Sequence, residues 1–245
     1  METLMAHRGW SGIAPENTLS SIKLALEEPK IHAIEIDIQL TKDGVPIVFH
    51  DKILDRTTNG TGALKNKTLA ELKALDAGSW FDEQFAGEEI PTLEEVLQLV
   101  NGQKPLYIEL KQVGDLYLGL ELKTIELIRR YGLEDQCSLI SFDHKSLQTC
   151  MKIAPEISRT LVMMGSPLLL AEQVNEIQAT SVSMYAEYID QLMIDSLVRN
   201  GTEIVIWTVD DPAEADRIAS YGADVLFTSN RPDQLWTREA AMVQV

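Results

Sequence analysis

The sequence is short of the residues that mark several common classes of protein. It has two cysteines in 245 residues, Cys137 and Cys150. That is too few for a disulfide framework, and no Cys/His spacing of a zinc site occurs. The pair reads as two free thiols, one in a strand and one in the helix after it. Basic residues are scarce: 21 Lys and Arg stand against 38 Asp and Glu, a formal net charge of -17. Nucleic-acid binding needs clustered cations, so nucleic acid is not expected as a partner. If the substrate is itself an anion, the site must supply positive charge locally. No run of 18 apolar residues is long enough to span a membrane. The start of the chain lacks the cationic stretch and apolar run of a secretory signal, which points to the cytoplasm. No internal repeat or low-complexity tract is visible.

What is present is a 45% hydrophobic chain, sufficient for the core of one large domain. Short apolar segments recur at Leu4 to His7, Ala33 to Ile38, Pro105 to Leu110, Cys137 to Ser141, Thr160 to Met163, Ser181 to Met184, Glu203 to Thr208 and Asp224 to Thr228. Most lack clean alternation, as strands buried on both faces do. Amphipathic helical patterns separate them, including Thr18 to Glu28 and Leu116 to Tyr131, the latter repeating Leu118, Leu122, Ile125 and Ile128. Thr92 with Glu95 is a capping-box pattern, Asp211-Pro212 a helix start, and Gly132 and Gly222 are helix stops. Alternating strands and helices imply a parallel sheet, and eight such strands over this length predict an α/β fold of the closed (β/α)8 TIM-type barrel. An open doubly wound sheet is the main competitor, but the turn His7-Arg8-Gly9-Trp10-Ser11-Gly12 does not match the dinucleotide fingerprint.

One segment breaks the rhythm. Asp43-Gly44 joins two apolar strands as a hairpin turn does, so Pro46 to His50 should return antiparallel to Ala33 to Ile38. With Lys42 opposite Val45, His50 falls opposite Asp37. Residues 52–91 are less regular and read as a small insertion at the barrel mouth within a single domain, 1–245.

Seven polar residues stand out against this apolar background. Glu35 and Asp37 share one face of a strand, and Glu109 is embedded among apolar residues at the end of the next one. Buried carboxylates need compensation, either by ion pairing with Arg or Lys or by a divalent metal. Three carboxylates at strand ends favour a hard cation with oxygen ligands, Mg²⁺ or Ca²⁺. With Arg8 and Lys111 the five charges sum to minus one, so a divalent cation turns the site net positive for an anionic phosphodiester. His7 and His50, two of the four histidines, lie at strand ends beside these carboxylates and suit an acid and a base. Arg8 and Lys111 are candidates to bind phosphate, with a structural salt bridge as the alternative for Arg8. Trp207 is a candidate pocket wall, or core. Met163, Met164 and Tyr185 read as core or pocket lining, and His32 and His144 as structural or exposed.

Taken in order, His7-Arg8-Gly9, Ala14-Pro15-Glu16-Asn17-Thr18, Glu35-Ile36-Asp37, Thr41-Lys42-Asp43-Gly44, His50-Asp51 and Arg56-Thr57-Thr58-Asn59-Gly60 resemble the N-terminal signature of the glycerophosphodiester phosphodiesterase family. Glu109 with Lys111, Ser141-Phe142 and Trp207-Thr208-Val209 extend the resemblance over nearly the whole chain. It implies a distorted, phosphatidylinositol-phospholipase-C-like barrel with an insertion after the second strand. It implies a cation on Glu35, Asp37 and Glu109, His7 and His50 as acid and base, and Arg8 and Lys111 on the phosphate. The implied reaction releases an alcohol and sn-glycerol 3-phosphate, within glycerol and lipid metabolism. A lysophospholipase D-like or sphingomyelinase D-like phosphodiesterase and a non-catalytic glycerophosphate binder are the alternatives.

Overall fold

The computed structural model describes residues 2–236. Strands β1 (Glu2–Ala6), β2 (Ala33–Leu40), β4 (Leu106–Leu110), β5 (Cys137–Ser141), β6 (Ser158–Met163), β7 (Ser181–Tyr185), β8 (Glu203–Trp207) and β9 (Val225–Ser229) pair in parallel. The pairing of β1 with both β9 and β2 closes the barrel. The short β3 (Pro46–Val48) adds to β2 antiparallel. Helices α1 (Leu19–Glu27), α2 (Leu69–Lys73), α3 (Leu93–Val100), α4 (Leu120–Tyr131), α5 (His144–Ile153), α6 (Leu170–Glu176), α7 (Gln191–Asn200), α8 (Pro212–Ala219) and α9 (Pro232–Leu235) alternate with or follow the strands. No helix among the described residues is long and apolar enough to cross a membrane.

Strand periodicity sorts the side chains of β2. Ile34, Ile36 and Ile38 belong to the large apolar cluster between sheet and helices, whereas Ala33 belongs to a small cluster with Met5 and Val205. Glu35 and Asp37 therefore share the opposite face, toward the barrel interior. The β2–β4 register sets Glu35 beside Tyr107 and Asp37 beside Glu109. Two alternating acidic positions and one register thus bring the three carboxylates together.

The hairpin is one residue longer than the Asp-Gly signal implies. Thr41, not Lys42, faces Val45, with its N–H donating to the Val45 carbonyl at 3.0 Å. The cause is local. Thr41 Oγ1 donates to Asp43 Oδ1 at 2.6 Å and accepts from the Val45 N–H at 2.9 Å, which holds Lys42-Asp43-Gly44 as a three-residue loop. Phe49, rather than His50, is consequently opposite Asp37, with its N–H on the Asp37 carbonyl at 2.9 Å. His50 lies just past the strand.

Thr92 and Glu95 cap α3 reciprocally, Asp211 caps α8, and Gly132 ends α4 in the left-handed conformation. The α4 pattern is only half correct. The helix begins at Leu120, and Leu118 and Leu122 are exposed while Leu120, Ile125 and Ile128 are buried. Gly119, in a left-handed conformation, redirects the chain and rotates the buried stripe. Met164, read as core or lining, is exposed on the loop after β6. Both cysteines are free and buried. Within residues 52–91, Leu54, Leu64, Leu72 and Ile90 pack on Ile47 and Phe49 as a separate apolar cluster against the hairpin.

Candidate active site

The residues that end β1 reach the barrel mouth through strained backbone. Arg8 and Gly9 both have positive φ, 56° and 73°. A Cβ on Gly9 would meet Ser21 Oγ at 2.4 Å and the Ser21 carbonyl carbon at 2.7 Å, so only glycine lets the start of α1 sit this close. The turn aims the Arg8 N–H at Glu35 Oε2, 3.0 Å away, and returns the Arg8 side chain over Asp37, with Nε 3.3 Å from Oδ2.

A cavity of about 260 Å³ opens here. Its polar side is lined by His7, Arg8, Glu35, His50, Glu109 and Lys111, its other side by Ile140, Phe142, Val162 and Trp207 among others. Asp37 lies just beneath, 1% exposed. Oxygen atoms of Glu35, Asp37 and Glu109 lie within 4.8 Å of one another. The structure thus brings seven of the eight sequence-named residues to the cavity wall and the eighth directly behind it. Trp207 walls the cavity, its Nε1 donating to the Ser183 carbonyl at 3.1 Å and its ring against Phe142 and Tyr185.

Compensation among the carboxylates is uneven. Lys111 Nζ lies 2.8 Å from Glu109 and 3.1 Å from Asp37. Asn17 donates to Asp37 Oδ2 at 2.8 Å. Burial opposes the Asp37 charge, but Lys111 and Arg8 outweigh it and hold the carboxyl well below the usual range. The same carboxylates raise Lys111 against its own burial. Ion pairing therefore accounts for Asp37 and partly for Glu109, which burial still pushes up to about 7. It does not account for Glu35. Burial and the neighbouring Asp37 and Glu109 raise this group well above its ordinary value, and its Oε1 is buried without a hydrogen-bond partner. Asp37 Oδ1 also lacks a hydrogen-bond partner but lies 3.1 Å from Lys111 Nζ, so the uncompensated oxygen inside this cluster of hard donors is Glu35 Oε1. That arrangement fits a divalent cation.

The two histidines are held differently. His7 Nδ1 lies 2.7 Å from Asn230 Oδ1. Asn230 Nδ2 is spent on Asp210 Oδ2 at 2.8 Å, and a carboxylate only accepts, so the amide orientation follows. His7 must then donate from Nδ1, which leaves the Nε2 lone pair free 3.8 Å from Glu35 Oε2. Burial, with Arg8 next, lowers His7 to about 4. His50 Nδ1 lies 2.6 Å from Asp51 Oδ1, and burial lowers it too, with Asp37 opposing. His32 and His144 stand apart: His32 Nδ1 accepts from the Leu4 N–H, and His144 faces the Val162 carbonyl. Asn17 stands in the signature motif without a role of its own, and Asp210 and Asn230 escaped the sequence reading. Asn230 lies two residues past the segment read as the last strand, and Asp210 orders that loop by accepting from Ser229 Oγ, the Asn230 N–H and the Arg231 N–H.

The sequence profile of the glycerophosphoryl diester phosphodiesterase family matches residues 7–234. A glycerophosphodiester phosphodiesterase of Caldanaerobacter subterraneus subsp. tengcongensis is 39% identical over 232 residues, covering 94% of this chain and 95% of that one. A glycerophosphodiester phosphodiesterase of Bacillus subtilis is 35% identical over 94% of this chain and 83% of its own. Among solved structures, an Oleispira antarctica phosphodiesterase in complex with the product sn-glycerol-3-phosphate superposes with a TM-score of 0.91 at 31% identity, covering 97% of this chain and 96% of that one. The barrel, the matched signature and these relatives together show that the chain belongs to the glycerophosphoryl diester phosphodiesterase family of phosphoric diester hydrolases.

Proposed function

We propose that the protein hydrolyses glycerophosphodiesters, such as glycerophosphocholine or glycerophosphoethanolamine, to an alcohol and sn-glycerol 3-phosphate. The observation that carries this reading is the cavity itself, where Glu35, Glu109, Arg8, Lys111 and two imidazoles line one wall and Asp37 completes the acidic trio just behind it. Glu35, Asp37 and Glu109 would hold Mg²⁺ or Ca²⁺. Bound there, the cation supplies charge neutralisation for the non-bridging phosphate oxygens. Arg8 and Lys111 lie at the cavity wall where they add hydrogen bonds to the same oxygens. His7, neutral with a free Nε2, suits removal of a proton from the nucleophile, whether water or the substrate's own glycerol hydroxyl. His50, backed by Asp51, suits protonation of the leaving alkoxide. Trp207 and Phe142 offer an apolar wall for the uncharged carbon atoms of the substrate.

Product analysis on a panel of glycerophosphodiesters, with and without chelator, tests this. Release of sn-glycerol 3-phosphate that stops on chelation is expected. Binding without turnover in the presence of Mg²⁺ or Ca²⁺ would leave a glycerophosphate binder.

A lysophospholipid substrate is a second reading, favoured by exposed Val113, Phe142, Met164, Leu168 and Leu169 on the loops after β4, β5 and β6. Faster turnover of the acylated choline diester than of glycerophosphocholine would select it.

A further inference from the structure

The polar chain at the mouth continues beyond the groups that line the cavity. Asp51, which backs His50, accepts at Oδ2 from Arg56 Nε at 2.7 Å and at Oδ1 from Arg56 NH2 at 3.2 Å. The same guanidinium reaches Glu16, with NH1 2.7 Å from Oε2 and NH2 2.8 Å from Oε1. Glu16 Oε1 in turn accepts from Arg8 NH1 at 2.9 Å. Five side chains, Arg8, Glu16, Arg56, Asp51 and His50, thus form one continuous run from a phosphate-binding candidate to an acid–base candidate. Arg56 sits at its centre, on the turn-rich segment after β3, and does not itself line the cavity.

An exposed ion pair would ordinarily do little, and the Arg56 side chain is 44% exposed. The geometry here is different, because both edges of one planar fork are bidentate on separate carboxylates. A lysine has no such fork. Without the guanidinium, Asp51 and Glu16 are left as two like charges with no shared partner. Each then loses its orientation toward His50 and Arg8.

We propose that Arg56 is a positioning residue that clamps Asp51 against His50 and Glu16 against Arg8, so that the segment after β3 sets the alignment of both groups on the polar side of the cavity. The inference rests on the reading of the site given above. Steady-state kinetics of the full chain on glycerophosphocholine test it. Arg56→Gln should lower kcat by about 10- to 100-fold through the His50 arm and raise KM through the Arg8 arm. Asp51→Asn should reproduce chiefly the fall in kcat, and Glu16→Gln chiefly the rise in KM. The double variant of Asp51→Asn with Arg56→Gln should have a kcat no lower than the worse single variant, because both act on one path. Arg56→Lys should recover little, whereas methylguanidinium should restore turnover to Arg56→Ala in a saturable way. An active wild type with unchanged kcat and KM in Arg56→Gln overturns this inference alone. So do multiplicative losses in the double variant or an absence of methylguanidinium rescue. A wild type inert on every glycerophosphodiester overturns the site reading and this inference together.

Discussion

Two histidines with different partners are expected to fail differently when removed. His7→Ala or His50→Ala should cost roughly 10²–10⁴-fold in turnover, with circular dichroism unchanged, since neither is needed to fill the core. A well-folded double variant with wild-type activity would remove them from the chemistry. Asp51 supports a prediction about stability. The Arg56 hydrogen bond holds its carboxyl down at about 2. A depressed carboxylate contributes stability above its unfolded value, near 4, and loses it as the pH falls through about 2. Wild type should therefore lose more stability than Asp51→Asn between pH 5 and pH 2, read as the difference in urea midpoints. The group is partly exposed and its partner Arg56 more so, and solvent screening should keep the effect small. Residue types at strand ends were legible in the sequence because charge inside an apolar run is conspicuous. Asn230 and Asp210 were not, because an Asn and an Asp in loops are ordinary until the fold sets them against His7.

At the scale of elements, two local devices differ in how much a substitution should cost. The α3 capping box satisfies helix-end N–H groups through the Thr92 hydroxyl, so Thr92→Ala should cost about 1 kcal/mol. Gly9 combines a positive φ with a contact that has no slack, so Gly9→Ala should cost more than Thr92→Ala in the same urea titration. An equal or smaller loss would show that the β1–α1 turn can open. The hairpin teaches a related lesson. An Asp-Gly turn was readable, yet the register slipped by one residue because Thr41 and Asp43 side chains widened the loop. His50 still reaches the cavity because it lies beyond the last paired residue, where the chain is free of the strand's alternation.

For the whole molecule, the charge balance is the governing fact. A net charge of -17 does not by itself favour an anionic substrate, and the local remedy is to collect Arg8 and Lys111 in one cavity, joined in the proposed reading by a cation. A cation bound only by the folded state raises the melting temperature with its concentration. Calorimetry in Mg²⁺ or Ca²⁺ should show such a rise, and Glu35→Gln should abolish it without lowering the melting temperature in chelator. A wild-type transition indifferent to both ions would take the cation out of the site.

Closed-barrel topology, strand positions and the identities of the polar residues could be read from the chain, because periodicity and stray charge in apolar runs are local signals. Convergence could not. It depends on the β2–β4 register that sets Asp37 beside Glu109, on the left-handed turn that folds Arg8 back over Asp37, and on loops from opposite ends of the chain meeting at His7. Those are relations between segments distant in sequence, and only the closure of the sheet brings them within hydrogen-bonding reach.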